Sequence, residues 1–267
     1  MKIGGQIALI TGGAGGIGKA LARKFLRGGA RAVVLWDFNQ AALETACREL
    51  SAEGDIRGYH LDITDRREVA EAAQRVRREV GEVDILDNNA GVVYGGDFLT
   101  CPEEQLLKTM EVNVNAAMWC TRAFLPGMLS KGSGHIVMMA SAAGLLGVPG
   151  MAAYSASKHA IIGLAESIRL ELRKQGYAGI NLCIVCPGFV KTGMFDGVDP
   201  PLLTPWLAPE FIADKIYEGV LNDRLYVREP FMIKLVPALK GLLVPKVLDW
   251  VGGLLGMHKV MDRWKGH

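Results

Sequence analysis

Residues 7–18 read IALITGGAGGIG. Ile7 to Ile10 form a short apolar run without charge, which predicts a strand buried on both faces. The segment GKALARKFLRGG (18–29) that follows is helix-like. Between them stands a turn rich in glycine, directly after a strand and directly before a helix. Glycines there let the backbone approach a pyrophosphate, and the helix N-terminus offers free N–H groups and a partial positive charge. Thr11, Gly12, Gly16, Ile17 and Gly18 are therefore expected to hold a dinucleotide. A plain strand-to-helix turn is the alternative, and the position and spacing of the glycines favour the dinucleotide.

Outward from this turn the chain keeps alternating. AVVLW (32–36) precedes the helical AALETACREL (41–50), and IRGYHL (56–61) precedes REVAEAAQRVRREV (67–80). DIL (84–86) leads to NNAG, and EEQLLKTMEVNVNAAMWCTRAFLPGML (103–129) reads as one long helix. HIVMMA (135–140), the helix SASKHAIIGLAESIRLELRKQG (155–176) and INLCIVC (180–186), the sixth strand, complete the series. Such alternation predicts an α/β fold, a doubly wound Rossmann-type parallel sheet with helices on both faces. The expected organisation is one domain over 1–267. Its core spans 4–188, a substrate loop and small helical part 189–225, and an amphipathic extension 228–267. The arginines from Arg66 to Arg78 fall at helical spacing and read as a solvated face.

Half of the 267 residues are apolar and the formal net charge is +2, so no nucleic-acid partner is expected. Five cysteines, an odd number without framework spacing, point to a reducing, cytoplasmic compartment. Cys183 and Cys186 form a CxxC but sit on a predicted strand, where residues three apart face opposite ways, so neither a metal nor a redox pair is expected. No secretory leader is expected. Residues 132–157 carry no Asp, Glu, Lys or Arg, but Gly, Ser and Pro149 interrupt them too often for a membrane span.

Two further groups point to chemistry. Asp37 ends the second predicted strand, 19 residues after Gly18. A carboxylate there accepts hydrogen bonds from ribose hydroxyls and repels a 2′-phosphate. With Phe38 next in sequence no basic side chain awaits a phosphate, which favours NAD over NADP. Asp62 ends the third strand and either reaches the adenine edge or caps the next helix, as Thr64 also does in the second reading. Tyr154 and Lys158 stand four apart at the start of a long helix and share a face. A tyrosine is a poor base at its ordinary pKa of about 10, and a neighbouring ammonium is expected to lower it.

The ensemble resembles the short-chain dehydrogenase/reductase family over roughly residues 4–220. The resemblance rests on TGGAGGIG, Asp37, NNAG at 88–91, Asn113 in VNV, Ser141 in MMASAAG, YSASK at 154–158 and CPGFVKT at 186–192. It implies that Tyr154 exchanges a proton with the reacting oxygen, that Ser141 positions that oxygen, and that Lys158 lowers the tyrosine pKa and holds the nicotinamide ribose. It implies that Asn113 holds a relay water, that Asn89, Ala90 and Gly91 line the cofactor, and that Pro187, Gly188 and Thr192 shape the nicotinamide pocket. The chain departs from the family pattern at Asp87, usually apolar, and at Ala140, usually serine.

An NAD-dependent oxidoreductase acting on a small-molecule carbonyl or secondary alcohol is thus the expected function, as a homodimer or higher homo-oligomer. An NAD-binding sensor or scaffold and an epimerase or dehydratase are the alternatives. The loop around 189–207 is Pro-rich and apolar. Val93, Leu145, Val148, Met151, Met194, Phe195 and Trp206 are candidate pocket residues, which suggests a steroid, retinoid or fatty acyl substrate. In 246–256, Val247, Leu248, Val251, Leu254 and Leu255 fall on one side of a helical wheel. Residues 228–267 hold seven Lys/Arg and three Asp/Glu, an excess of +4 that leaves −2 for the rest. The segment 231–257 is expected to cover the substrate or a subunit interface, with peripheral membrane contact as the secondary reading.

Overall fold

The computed structural model describes residues 1–265; Gly266 and His267, the end of the expected extension, lie outside the described residues. Seven parallel strands form one sheet in the order β3-β2-β1-β4-β5-β6-β7. They are β1 (Ile7–Thr11), β2 (Ala32–Asp37), β3 (Ile56–His60), β4 (Ile85–Asn88), β5 (Gly134–Met139), β6 (Ile180–Pro187) and β7 (Tyr226–Glu229). The central strands are buried along their whole length because helices cover both sheet faces. Helices α1 (Gly16–Arg27), α2 (Gln40–Leu50) and α7 (Pro209–Leu221) build one apolar layer. Helices α3 (Arg66–Glu79), α5 (Ala116–Lys131) and α6 (Ala152–Lys174) build the other. Strand order reverses between β1 and β4, so a crevice opens beyond their carboxyl ends, where such sheets bind ligands.

Three features differ from the expectation. The six predicted strands are joined by β7, which pairs with β6 through Val185 and Val227. Its four residues include Arg228 and Glu229, too short and polar to register as a strand before the β6 edge supplies its hydrogen bonds. The single long helix over 103–129 is α4 (Glu103–Met110), a π-turn (Glu111–Asn115) and α5. One π-turn shifts the helix phase without breaking the apolar pattern, so the periodicity conceals it. Finally, the extension holds two helices, α8 (Phe231–Leu242) and α9 (Pro245–Leu254).

Cys183 and Cys186 point into the two different core layers, as strand alternation requires. All five cysteines are free.

Candidate active site

The glycine turn leads into α1 without a side-chain cap and without an acidic residue in the first turn. Its backbone N–H groups are therefore available to an anion. Gly18 faces inward. A Cβ there would lie 2.5 Å from the Gly12 carbonyl oxygen and 2.9 Å from the Gly13 Cα, so only glycine lets α1 pack this close to the turn. Thr11 is buried and serves as a clasp. Its hydroxyl donates to the Asp87 carbonyl at 3.3 Å and accepts from the Asn89 and Ala90 N–H groups at 3.1 Å each. The Asn89 amide donates to the Thr11 and Gly12 carbonyls at 2.9 and 3.2 Å. β1 and β4 are thus tied together at the crevice.

A cleft of about 510 Å³ follows from this point. Gly12, Gly16, Ile17, Asp37, Asp62, Asn89, Ala90, Gly91, Ser141, Tyr154, Lys158, Pro187, Gly188 and Thr192 all line it. Thr11, Gly18 and Asn113 stand behind this lining and hold it in place. Asp37 accepts the Ala14 N–H at 3.0 Å on one oxygen and the Asn39 N–H at 2.9 Å on the other. Each oxygen keeps a lone pair for a ribose hydroxyl. Asp62 accepts the Thr64 amide at 2.9 Å and the Thr64 hydroxyl at 2.7 Å, with the Lys108 ammonium 3.7 Å away. Neither Asp62 nor Thr64 caps the following helix. Asp65 does, accepting from the Arg67 and Glu68 amides. An uncapped helix end, a glycine turn bare of side chains and a carboxylate at the β2 end fit NAD; Lys158 and Thr192 would meet its nicotinamide end.

At that end four residues converge. Ser141 closes β5 and caps a short 3₁₀ turn, accepting the Ala143 N–H at 3.2 Å. A Cβ on Gly144 would lie 2.6 Å from the Lys158 carbonyl oxygen, so this glycine lets the turn press against α6. Tyr154 sits in the first turn of α6, Lys158 one turn on, and both are buried. The Lys158 ammonium donates to the Met139 carbonyl at 2.7 Å and lies 5.5 Å from the centre of the Tyr154 ring. Asn113, in the π-turn, accepts the Val92 N–H at 2.8 Å and donates to the Val92 carbonyl at 2.9 Å and the Ser157 hydroxyl at 3.0 Å. Ser157 in turn donates to the Tyr154 carbonyl at 2.7 Å.

The electrostatics reverse one expectation. Burial pushes the Tyr154 phenol up to about 12, although the Ser141 hydroxyl pulls it back. Burial also brings Lys158 down to about 8. Burial outweighs any stabilisation of the phenolate by its neighbours, so the phenol stands above its ordinary value in this buried corner. At neutral pH Tyr154 holds its proton and can donate it to a carbonyl oxygen.

A second cavity, of about 640 Å³, meets the first at Ser141, Gly188 and Phe195. Its walls are mostly apolar: Val148, Met151 and Phe189 on one side, Met232, Val236 and Leu239 of α8, Leu248 and Val251 of α9 and Leu255 just past its end on the other. Of the expected pocket residues, Val148, Met151 and Phe195 line this cavity, and Met194 lines the cofactor cleft. Val93 and Trp206 support them from behind in one apolar cluster, whereas Leu145 packs against the main core. The predicted stripe of α9 is split. Leu248, Val251 and Leu255 face the cavity, while Val247 and Leu254 are 41% and 63% exposed. Sequence reasoning missed Phe189, the α8 side chains and Ser155. The Ser155 hydroxyl is buried on the cavity wall without a hydrogen-bond partner among the described residues. Only its place one residue after Tyr154 hinted at this.

A family model described as short chain dehydrogenase matches residues 6–201. Among curated proteins, epidermal retinol dehydrogenase 2 of Homo sapiens is 41% identical over 99% of this chain and 88% of its own length. Estradiol 17-beta-dehydrogenase 11 of Rattus norvegicus is 37% identical over 93% and 83%. Among solved structures, a short chain dehydrogenase/reductase of Burkholderia phymatum in complex with NAD superimposes with a TM-score of 0.83 at 28% identity, covering 94% of this chain and 96% of that one.

Proposed function

The chain belongs to the short chain dehydrogenase family, and from that premise we propose that it interconverts a retinoid or steroid alcohol and the corresponding carbonyl compound. It is an NAD-dependent oxidoreductase. When bound, the nicotinamide takes up or returns the hydride of the reacting carbon. Tyr154 exchanges the proton of the reacting oxygen, and Ser141 holds that oxygen within reach of the phenol. Lys158 is placed to grip the ribose and to pass the proton onward. Asn113, whose amide is committed to Val92 and Ser157, keeps that corner in shape beside the relay. Asp37 selects NAD through the ribose hydroxyls, with Asp62 at the adenine end. In this reading the core 4–188 binds the cofactor, while 189–225 and the extension from 228 shape the substrate side of a single domain.

The apolar cavity that opens beside Ser141 carries the substrate assignment, because a water-soluble polyol would bury its hydroxyls there without partners. Its size suits a drug-sized lipophilic ligand. The relatives named for retinol and estradiol support the same class. The free cysteines agree with a reducing, cytoplasmic setting, and a homo-oligomer is the assembly this reading carries. Steady-state NAD reduction with retinol, estradiol, a long-chain alcohol and a polyol tests it. At least one of retinol and estradiol should exceed the polyol in kcat/KM by about 100-fold or more. A polyol turned over as well as either lipid would overturn the substrate assignment.

A further inference from the structure

Helix α9 is apolar on two sides. Leu248, Val251 and Leu255 line the substrate cavity, and Val247, Trp250 and Leu254 point away from it, with Trp250 66% exposed. Helix α8 repeats the arrangement. Met232, Val236 and Leu239 face the cavity, while Phe231, Leu235 and Leu242 are exposed, Leu242 at 82%. A helix apolar all round is buried in protein or lipid, yet these outer side chains stay exposed, from 38% at Leu235 to 82% at Leu242. The patch continues onto the substrate loop. The Leu202 N–H donates to the Leu255 carbonyl at 2.9 Å, which joins the stretch holding exposed Leu202 and Leu203 to the end of α9. Leu202 is 66% exposed and also lines the cavity, so the cavity mouth opens at this patch.

We propose that the outer faces of α8 and α9, with Leu202 and Leu203, dock on an anionic phospholipid bilayer and turn the cavity mouth toward it. Lipophilic substrate then enters from the membrane rather than from water. The inference rests on the lipophilic-substrate reading for what enters, but not for the docking itself. Charge chooses the occupant. Lys234, Lys240 and Lys246 lie in and between the two helices; Lys234 pairs with Glu229 at 2.9 Å and Lys240 donates to the Leu145 carbonyl at 3.0 Å, while 228–267 as a whole keeps its excess of +4. Basic side chains around an exposed apolar face complement anionic headgroups, and an exposed tryptophan suits the membrane interface. A second copy in two-fold contact would bring the same lysines against one another and cover the mouth. No helix among the described residues is long and apolar enough to cross a membrane, so the contact is interfacial.

Flotation of the full chain with vesicles separates the outcomes. The protein should float with phosphatidylcholine–phosphatidylserine vesicles, less with phosphatidylcholine alone, and less again at high salt. Brominated lipids should quench part of its fluorescence, and Trp250→Phe should remove that part. The double variant Leu242→Ser/Trp250→Ser should lose at least about tenfold in vesicle affinity. It should still bind NAD and turn over a short water-soluble alcohol normally, while losing rate on retinol supplied in vesicles. Wild-type protein that stays unbound to both vesicle types overturns the proposal, as does a double variant that floats equally well. A wild-type dimer that the variant dissociates, without any vesicle binding, assigns the face to a second copy. Bound protein that oxidises neither retinol nor estradiol leaves the docking intact and sinks only the substrate reading.

Discussion

Helix α1 behind the glycine turn and the helical pair α8–α9 are both amphipathic in sequence, but they solve different problems. From residue 7 to 37 each signal is local. An apolar strand, a turn without side chains, a helix and a carboxylate at the next strand end specify one geometry, and α1 lies on the sheet as its pattern requires. In α9 a five-residue stripe did not specify which residues are buried. Three of its members face the cavity with Met232 and Val236 of α8, and two face outward beside Trp250. A wheel records which side chains share a side, whereas burial depends on what arrives opposite. Motifs that bind an invariant cofactor can be read from the chain; surfaces that bind a variable substrate depend on the packing.

The sharpest way to break this contrast is at the point where the two regions meet. Tyr154→Phe should lower kcat by about 10³-fold with NAD affinity nearly unchanged, since it removes only the proton donor. Stopped-flow turnover and a cofactor titration measure the two, and a variant with near-normal kcat would move acid/base chemistry off Tyr154. Within the cofactor half, Asp37→Ala should shrink the preference for NAD over NADP by about 30-fold, because the ribose acceptor and the charge that repels a 2′-phosphate go together. Equal preference in the wild type would contradict the role given to Asp37.

On the substrate side, Val251→Ser should raise KM for a lipophilic alcohol by about tenfold and leave NAD affinity alone, as it places a hydroxyl on the cavity wall. If kcat fell and KM stayed constant, α9 would be acting on the chemistry and not on binding.

The smallest effect on turnover concerns Asp87, the departure noted on β4. Both of its oxygens are buried and lack a hydrogen-bond partner among the described residues, and burial raises its pKa to about 8. Because the folded state holds this proton and the unfolded chain releases it near pH 4, stability falls as pH rises from about 4 to 8. Asp87→Asn removes the ionisation. Its Tm should match wild type near pH 4 and exceed it by several degrees at pH 8, because a carboxyl raised from about 4 to about 8 is worth several kcal/mol over that range. A constant difference across that range would mean that the carboxyl does not titrate there.

Much of the fold and of the site was legible in the chain. The five interior strands announce themselves as apolar runs because a parallel sheet buries both faces of a strand. Gly12, Asp37, Tyr154 and Lys158 stand at element ends where chemistry needs them, and a resemblance carried by motifs in register added Ser141 and Asn113. Strand β7 was not legible, since its hydrogen bonds come from β6 and not from its own residues. The π-turn at Asn113 was hidden because the apolar repeat runs through it.

The sequence alone determined the six alternating strands and helices, the cofactor turn and the pairing of Tyr154 with Lys158, since each depends on residues close together along the chain. Only the tertiary structure decided the ionisation of that pair and the substrate cavity. Burial, a property of everything packed around α6, raised the phenol and lowered the amine, against the direction that charge proximity alone predicts. The cavity arises where the 3₁₀ turn after Ser141, the loop around Phe189 and the helices α8 and α9 come together. These segments lie tens of residues apart, and no local pattern records how far apart they pack.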